Sequence, residues 1–192
     1  MEESYIRFDR AKLKAAAHYI CSRLQPKELG NVKLHKILYF ADMLSFCDSG
    51  APLTGVDYIK QRFGPTARHL TAVLEELASE QQIKIEKRTF YGFEKRDYIS
   101  LTEPNRAILG NSAIELLDSV IEFARDRSAS ELSELSHDVA WQAADMGERI
   151  PYAAVYGWQP EEITDEDRAA ALHDIRRLRP LIEKERHARG VF

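Results

Sequence analysis

Six histidines and two cysteines are the side chains of this 192-residue sequence best suited to metal binding or nucleophilic chemistry. The histidines show no metal-ligand pairing at helical spacing; they stand at positions 18, 35, 69, 137, 173 and 187. Cys21 and Cys47 fall on or beside apolar stripes, where a thiol is more often buried than reactive. Phosphate-loop, dinucleotide-binding, nucleophile-elbow and HExxH motifs are also missing. The sequence therefore predicts a protein that is not an enzyme, with no catalytic residue, no metal and no cofactor.

Aromatic and arginine side chains are better candidates for function, because such residues dominate the binding energy of protein interfaces. His137 and Trp141 are four residues apart, so we expect them to share one helix face and to stack. A dense aromatic cluster follows at 152–158. Each of these groups can also be core packing or ordinary surface. The candidate partner-binding residues are Tyr39, Arg62, Arg68, Trp141, Tyr156 and Trp158.

Composition limits the class of protein. Hydrophobic residues make up 44% and charged residues 30%, with 9 Gly and 7 Pro, which excludes disordered and collagen-like chains. Apolar stretches such as 37–41 are far shorter than the roughly 20 residues of a membrane span. The polar, acidic N-terminus does not resemble a secretory signal, and two cysteines fit a reducing compartment. We expect a soluble, cytoplasmic domain without a membrane partner.

The net charge of −4 is unevenly distributed. Residues 1–100 carry 16 basic and 13 acidic side chains, whereas residues 101–192 carry 11 and 18. An acidic second half can meet a basic partner surface, since charge complementarity guides association. An ordinary solvated surface is the alternative interpretation.

Hydrophobic periodicity and capping residues predict the elements that must position these side chains. Helices are expected at about 10–24 after an Asp9 cap, at 31–47, and from Gly64-Pro65 to about 80. Four more helices are expected: after a Thr102 cap, after Gly110-Asn111, after a Ser128/Glu131 capping box, and from Thr164 to a break at Pro180. An extended segment is expected at 56–63 and a hairpin at 83–101, turning at Tyr91-Gly92.

This order predicts a mainly α-helical α+β fold with a small antiparallel sheet or hairpin, winged-helix-like in element order. Residues 1–160 should form the domain. Residues 161–192 should be a charged helical extension of the same unit.

Three segments together resemble one family. The run KLHKILYFA at 33–41 resembles the K-L-x-K-L-L-Y-F-A signature of the Panacea domain, also described as the SocA-like antitoxin family. Phe63-Gly64-Pro65 is similar to its Y-G-P step, and 132–141 is similar to a later segment with conserved His and Trp. The motif residues expected to be structural are Lys33, Leu34, Lys36, Leu38, Tyr39, Phe40, Ala41, Phe63, Gly64, Pro65, His137 and Trp141.

The resemblance implies an antitoxin of a type II toxin–antitoxin pair, which binds a cognate toxin encoded by the adjacent gene and needs no cofactor. Some relatives are phage-associated. One branch is thought to act as an adaptor that delivers its toxin to an ATP-dependent protease.

A DNA-binding regulator remains the main alternative. Lys84, Lys87, Arg88, Lys95 and Arg96 decorate the predicted hairpin, and such a wing can contact phosphates. Acidic residues at 86, 94 and 97 dilute that charge.

Overall fold

The structure is a computed structural model that describes residues 6–90 and 93–158. Capping residues fix the ends of its first two helices. The Asp9 carboxylate accepts a hydrogen bond from the Lys12 N–H at 3.0 Å and begins helix α1 (Arg10–Arg23). Helix α2 (Asn31–Ser49) ends at Gly50, whose N–H donates to the Phe46 carbonyl. The start of α1 after Asp9 is the one expected from the sequence, and α2 ends two residues beyond the expected 47.

The remaining elements alternate short strands and helices. In chain order they are β1 (Tyr58–Ile59), β2 (Thr66–Ala67), α3 (Leu70–Ser79), β3 (Ile83–Phe90), β4 (Phe93–Ser100), α4 (Arg106–Leu109), α5 (Asn111–Arg125), α6 (Ala129–Leu135), α7 (Val139–Ala143), β5 (Arg149–Ile150) and a 3-10 helix (Tyr152–Trp158). Strands β2, β1 and β5 form one antiparallel sheet in that order, and β3 and β4 form a separate hairpin. The mainly helical α+β class predicted from the sequence is confirmed.

Two helix starts differ from the prediction. Thr66 and Ala67 pair with β1, so α3 begins only at Leu70 and not at the Gly64-Pro65 step. Thr102 does not cap a helix, because α4 begins at Arg106 without any side-chain cap. In both places, local signals suggested a helix that strand pairing or a connecting loop displaced.

Other predictions hold or fall outside the described residues. The Ser128/Glu131 capping box is present, with both reciprocal hydrogen bonds made. The Tyr91-Gly92 turn, the helix from Thr164 and the extension 161–192 lie outside the described part of the chain.

Helix α2 is buried on nearly all sides. Its apolar residues at helical spacing, Leu34, Ile37, Leu38 and Ala41, are at most 1% exposed. Unexpectedly, the polar side chains between these residues are buried as well; they are Lys33, His35, Lys36, Tyr39 and Asp42. A buried polar group is costly unless it is hydrogen-bonded, so each of these must have a partner.

The two lysines bind backbone carbonyls of distant segments. Lys33 Nζ donates to the carbonyls of Arg125 at 2.7 Å and Arg127 at 2.8 Å, where α5 has ended. Lys36 Nζ donates to the Pro65 carbonyl at 2.8 Å. Burial lowers the pKa of Lys36 to about 7. The charge of Lys33 lies at the C-terminal end of α5, where a cation also interacts favourably with the helix dipole.

The Asp42 carboxylate holds the segment that leads into β1. It accepts hydrogen bonds from the Thr54 N–H and hydroxyl, both at 2.6 Å, and from the Tyr58 hydroxyl at 2.7 Å. Burial raises the pKa of Asp42, and the hydrogen bonds from Thr54 and Tyr58 oppose that rise. Helix α2 therefore holds the sheet in place through polar contacts as well as apolar ones.

Gly64 is required because no side chain fits beside Lys36. Its φ is +90°, and an added Cβ would overlap the Ser136 hydroxyl and lie 2.5 Å from Lys36 Nζ. Glycine adopts such a φ without steric cost.

Replacing Gly64 by alanine should destabilise the fold more than a matched change at Gly50. Gly50 also has a positive φ, of +72°, but nothing lies within 4 Å of its missing Cβ. We expect Gly50→Ala to cost about 1–2 kcal/mol through backbone strain alone, and Gly64→Ala to cost at least about 2 kcal/mol more because the Lys36 contact is lost. Urea unfolding of both variants measures the difference. Equal losses would contradict the packing argument.

His35 should make the fold acid-sensitive. Its Nδ1 accepts the Ala67 N–H at 3.0 Å, and burial lowers its pKa to about 4, with Lys36 adding to the effect. The unfolded chain takes up this proton below its ordinary pKa of about 6.5. The stabilisation is therefore complete above that pH and is lost as the pH falls through about 4.

His35→Asn tests this expectation, because an amide oxygen can accept the same hydrogen bond without titrating. Between pH 7 and pH 4 the free energy of unfolding of the wild-type chain should fall by about 2–3 kcal/mol more than that of the variant. Denaturant titrations at several pH values give both profiles. Parallel profiles would show that His35 does not contribute.

Candidate protein-binding groove

An open apolar groove runs between α2, α5, α7 and the 3-10 helix. We call it the α2–α5 groove; its volume is about 670 Å³. Its lining residues are Phe40, Leu44, Leu116, Ser119, Val120, Phe123, Leu135, Asp138, Val139, Gln142, Gly157 and Trp158. Helix α2 supplies one wall with Phe40 and Leu44. The buried polar side chains described above lie on the same helix.

Exposed apolar side chains are concentrated in this groove. Among the described residues, nine large hydrophobic side chains are exposed, and four of the nine line the groove. They are Leu44, Phe123, Leu135 and Val139, which are 40–49% exposed. A contiguous apolar patch of this kind marks an interaction surface more often than scattered single residues do.

Aromatic packing fixes the shape of one wall. The ring of Phe40 meets that of Phe123 edge-on at 6.0 Å and that of Trp158 at 6.4 Å. The guanidinium of Arg127 lies over the Phe123 ring at 3.9 Å. Because each ring is held by a neighbour, this wall is largely preorganised for a partner, which lowers the entropy cost of binding.

The main polar group of the groove is the Asp138 carboxylate. It caps α7 by accepting the Trp141 N–H at 2.9 Å, and it accepts the Tyr39 hydroxyl at 2.9 Å. Burial raises the pKa of Asp138, and these hydrogen bonds oppose that rise. The Trp158 indole N–H is buried near this carboxylate and also lowers its pKa. Within the described residues, however, that N–H makes no hydrogen bond of good geometry.

Tyr39 lies beneath the groove and not on its surface. Its side chain is fully buried, so it offers no exposed surface to a partner, and its direct contact with a partner stays a prediction. Burial raises the pKa of Tyr39, as does the neighbouring Asp138 carboxylate. Its role is to hold Asp138 and to support the Trp158 ring at 6.2 Å.

A second cluster surrounds the loop before Gly64. The Trp141 indole N–H donates to the Gln61 carbonyl at 3.3 Å, and Lys60 Nζ lies 4.1 Å from the centre of the indole ring. His137 stacks on Trp141 at 4.1 Å, as expected. The two do not share a helix, however, because α6 ends at Leu135 and α7 begins at Val139.

Arginine candidates lie near this loop or beyond it. Arg62 lies 5.5 Å from the centre of the Phe63 ring, which is 63% exposed. Arg68 forms a long ion pair with Asp57 at 3.8 Å. An exposed pair of that length contributes little to stability, so the guanidinium stays available for binding.

Of the aromatic cluster at 152–158, one ring reaches the groove. Trp158 lines it, whereas Tyr152 is buried and donates its hydroxyl to the Val56 carbonyl at 2.7 Å. Tyr156 is 51% exposed with its ring against Phe46, and it is not among the groove-lining residues. The structure thus places Trp158 above Tyr39 and brings Arg62 near Trp141, but it does not unite all six candidates.

Sequence reasoning missed most of the groove. Helix α5 buries Ile114, Leu117, Val120, Ile121 and Ala124. Leu116 and Phe123 lie beside that face and line the groove together with Val120, at spacings of four and three. The apolar arc of α5 is therefore wider than one core contact needs, and that width was the available signal.

The hairpin does not favour DNA binding. At least three of its five basic side chains are paired with carboxylates: Lys84 with Glu86 at 2.7 Å, and both Arg88 and Lys95 with Asp97 at about 3 Å. Helix α3, which precedes the hairpin as a recognition helix would, contains glutamates but no lysine or arginine.

The described residues offer few other kinds of site. No group of three or more His, Cys, Asp or Glu side chains in this part of the chain is arranged to hold a metal ion. None of the described helices is long and apolar enough to cross a membrane.

Comparison with known families gives one match. The family model described as "Antitoxin SocA-like, Panacea domain" matches residues 34–142, which is more than half of the chain. No curated protein and no solved structure matches significantly. The matched range runs from the first turn of α2 to α7, so it includes the buried polar side chains of α2 except Lys33, and most of the groove. The chain therefore belongs to the antitoxin SocA-like, Panacea domain family.

Proposed function

We propose that this chain is the antitoxin of a type II toxin–antitoxin pair and that it neutralises the toxin by direct binding in the α2–α5 groove. The observation that carries this proposal is the clustering of four exposed large apolar side chains in one groove. Most of the groove lies within the range matched by the antitoxin family model; Gly157 and Trp158 lie beyond it.

Steric neutralisation fits the chemistry of the groove. A partner that fills it removes apolar surface from water, at about 25 cal/mol per Å². Tight neutralisation, on the order of nM, takes roughly 1,600 Å² of total interface with a few well-packed anchors. Phe123 and Trp158 are such anchors, since both rings are held in place by neighbours. The mechanism needs neither an enzymatic activity nor a cofactor.

The surroundings of the groove extend the interface. The loop carrying Arg62, together with Trp141, would supply cationic and aromatic contacts beyond the apolar floor. The partner in this proposal is a cytoplasmic toxin encoded by the adjacent gene. Delivery of that toxin to an ATP-dependent protease stays a prediction from the family resemblance.

Expression of the adjacent gene tests the pairing. Inducing its product alone should arrest colony growth, and co-expression of this chain should restore growth. A harmless product, or an arrest that this chain does not relieve, would contradict the antitoxin assignment for that pair.

Polar substitutions in the groove should abolish neutralisation without unfolding the chain. We expect Phe123→Ser combined with Leu135→Ser to weaken the affinity for the toxin by about 100-fold, since two interface anchors are lost. Calorimetric titration of the purified proteins gives the affinity, and thermal melting gives the stability of the fold.

A matched control makes the outcome specific. Leu101→Ser with Met146→Ser changes side chains that are 53% and 61% exposed and do not line the groove, so affinity should be unchanged. If the groove variant keeps full affinity while Arg62→Ala with Trp141→Ala loses it, the interface is the neighbouring loop and not the groove.

A further inference from the structure

The part of the chain that supplies most of the groove lining, residues 111–145, is strongly acidic. Residues 111–145 contain eight Asp or Glu side chains and two Arg, with no Lys. Both arginines are already engaged. Arg125 lies 3.1 Å from Glu122 and 3.9 Å from Glu28, and Arg127 lies over the ring of Phe123.

Several carboxylates near the groove make no ion pair with the described residues. Asp48, Glu115 and Glu134 are exposed, and none of them makes an ion pair with another described residue. Helical spacing places Asp48 one turn after Leu44 and Glu115 one turn before Ser119. Glu134 directly precedes Leu135. Asp48 and Glu115 therefore share a helix face with a lining residue, and Glu134 is next to one in sequence. We call these three carboxylates the acidic rim of the groove.

The floor of the groove selects the backbone form of its occupant. Apart from Ser119, Asp138 and Gln142, its lining side chains are apolar. An extended segment would need hydrogen-bond partners for its backbone, as it finds at a sheet edge, whereas a helix satisfies its own backbone. A cleft of about 670 Å³ between helices suits the apolar face of an amphipathic helix.

We infer that the α2–α5 groove receives a basic amphipathic helix of the toxin, with apolar residues on the floor and Lys or Arg side chains facing the acidic rim. This inference rests on the proposed function and adds the chemistry of the partner. Unpaired carboxylates of one sign on the rim attract the opposite charge and disfavour an acidic helix.

Two designed helical peptides test the charge preference directly. They share one face of leucines spaced three and four residues apart, and their other positions are all Lys in one peptide and all Glu in the other. Fluorescence anisotropy with the full-length chain should show that the Lys peptide binds at least tenfold tighter at low salt. That advantage should shrink as the salt concentration rises, because salt screens exposed charges.

Variants assign the preference to the rim. Glu115→Gln with Glu134→Gln should weaken binding of the Lys peptide at least fivefold and leave the Glu peptide unchanged or tighter. The control, Glu75→Gln with Glu103→Gln, makes the same charge change at exposed sites that do not line the groove and should have a much smaller effect. Phe123→Ser should weaken both peptides.

The outcomes separate this inference from the proposed function. Equal affinity for the two peptides, or binding of neither, overturns the inference; the proposed function still stands if Phe123→Ser with Leu135→Ser abolishes neutralisation of the toxin. A dimer of this chain that the same double variant dissociates would assign the groove to a second copy and also overturn the inference. Displacement of the toxin by the Lys peptide alone supports both.

Discussion

The fold depends on the requirement that the buried polar side chains of one helix find partners. Helix α2 runs through the core, so its two lysines, its histidine, its tyrosine and Asp42 are cut off from water. Lys36 binds the Pro65 carbonyl and Asp42 binds Thr54 and Tyr58, which fixes the small sheet against the helix. Leaving one such group unpaired would cost about 1–3 kcal/mol or more. The polar face therefore specifies where each distant segment docks.

The same helix determines the shape of the groove. Lys33 holds the chain where α5 ends, and Tyr39 holds Asp138 at the start of α7, so two walls of the groove are tied to α2 from behind. On its outer side, α2 contributes Phe40 and Leu44 to the groove itself. Side chains held in this way lose little conformational entropy when a partner binds, and this favours affinity. Residues of the family signature, such as Lys33 and Tyr39, thus support the walls of the apolar groove.

Charge distinguishes the two faces that could have bound a partner. On the hairpin, Arg88 and Lys95 share the buried carboxylate of Asp97, so part of the cationic charge that could meet phosphates is offset. Beside the groove, acidic side chains such as Glu115 and Glu134 have no basic partner among the described residues. Apolar floor and acidic rim together favour a basic protein helix over nucleic acid.

The sequence by itself determined the local elements and the family, because caps, turns and apolar periods act over a few residues: Asp9, the Ser128 capping box and the KLHKILYFA signature all predicted correctly. Only the tertiary structure decided which apolar side chains stay exposed. Phe123 and Val120 belong to the same helical arc, yet one is 41% exposed and the other is buried. Likewise, pairing with β1 displaced the start of α3, and burial removed Tyr39 from the surface. Burial and strand pairing depend on which distant segments meet in space, and no local pattern encodes that.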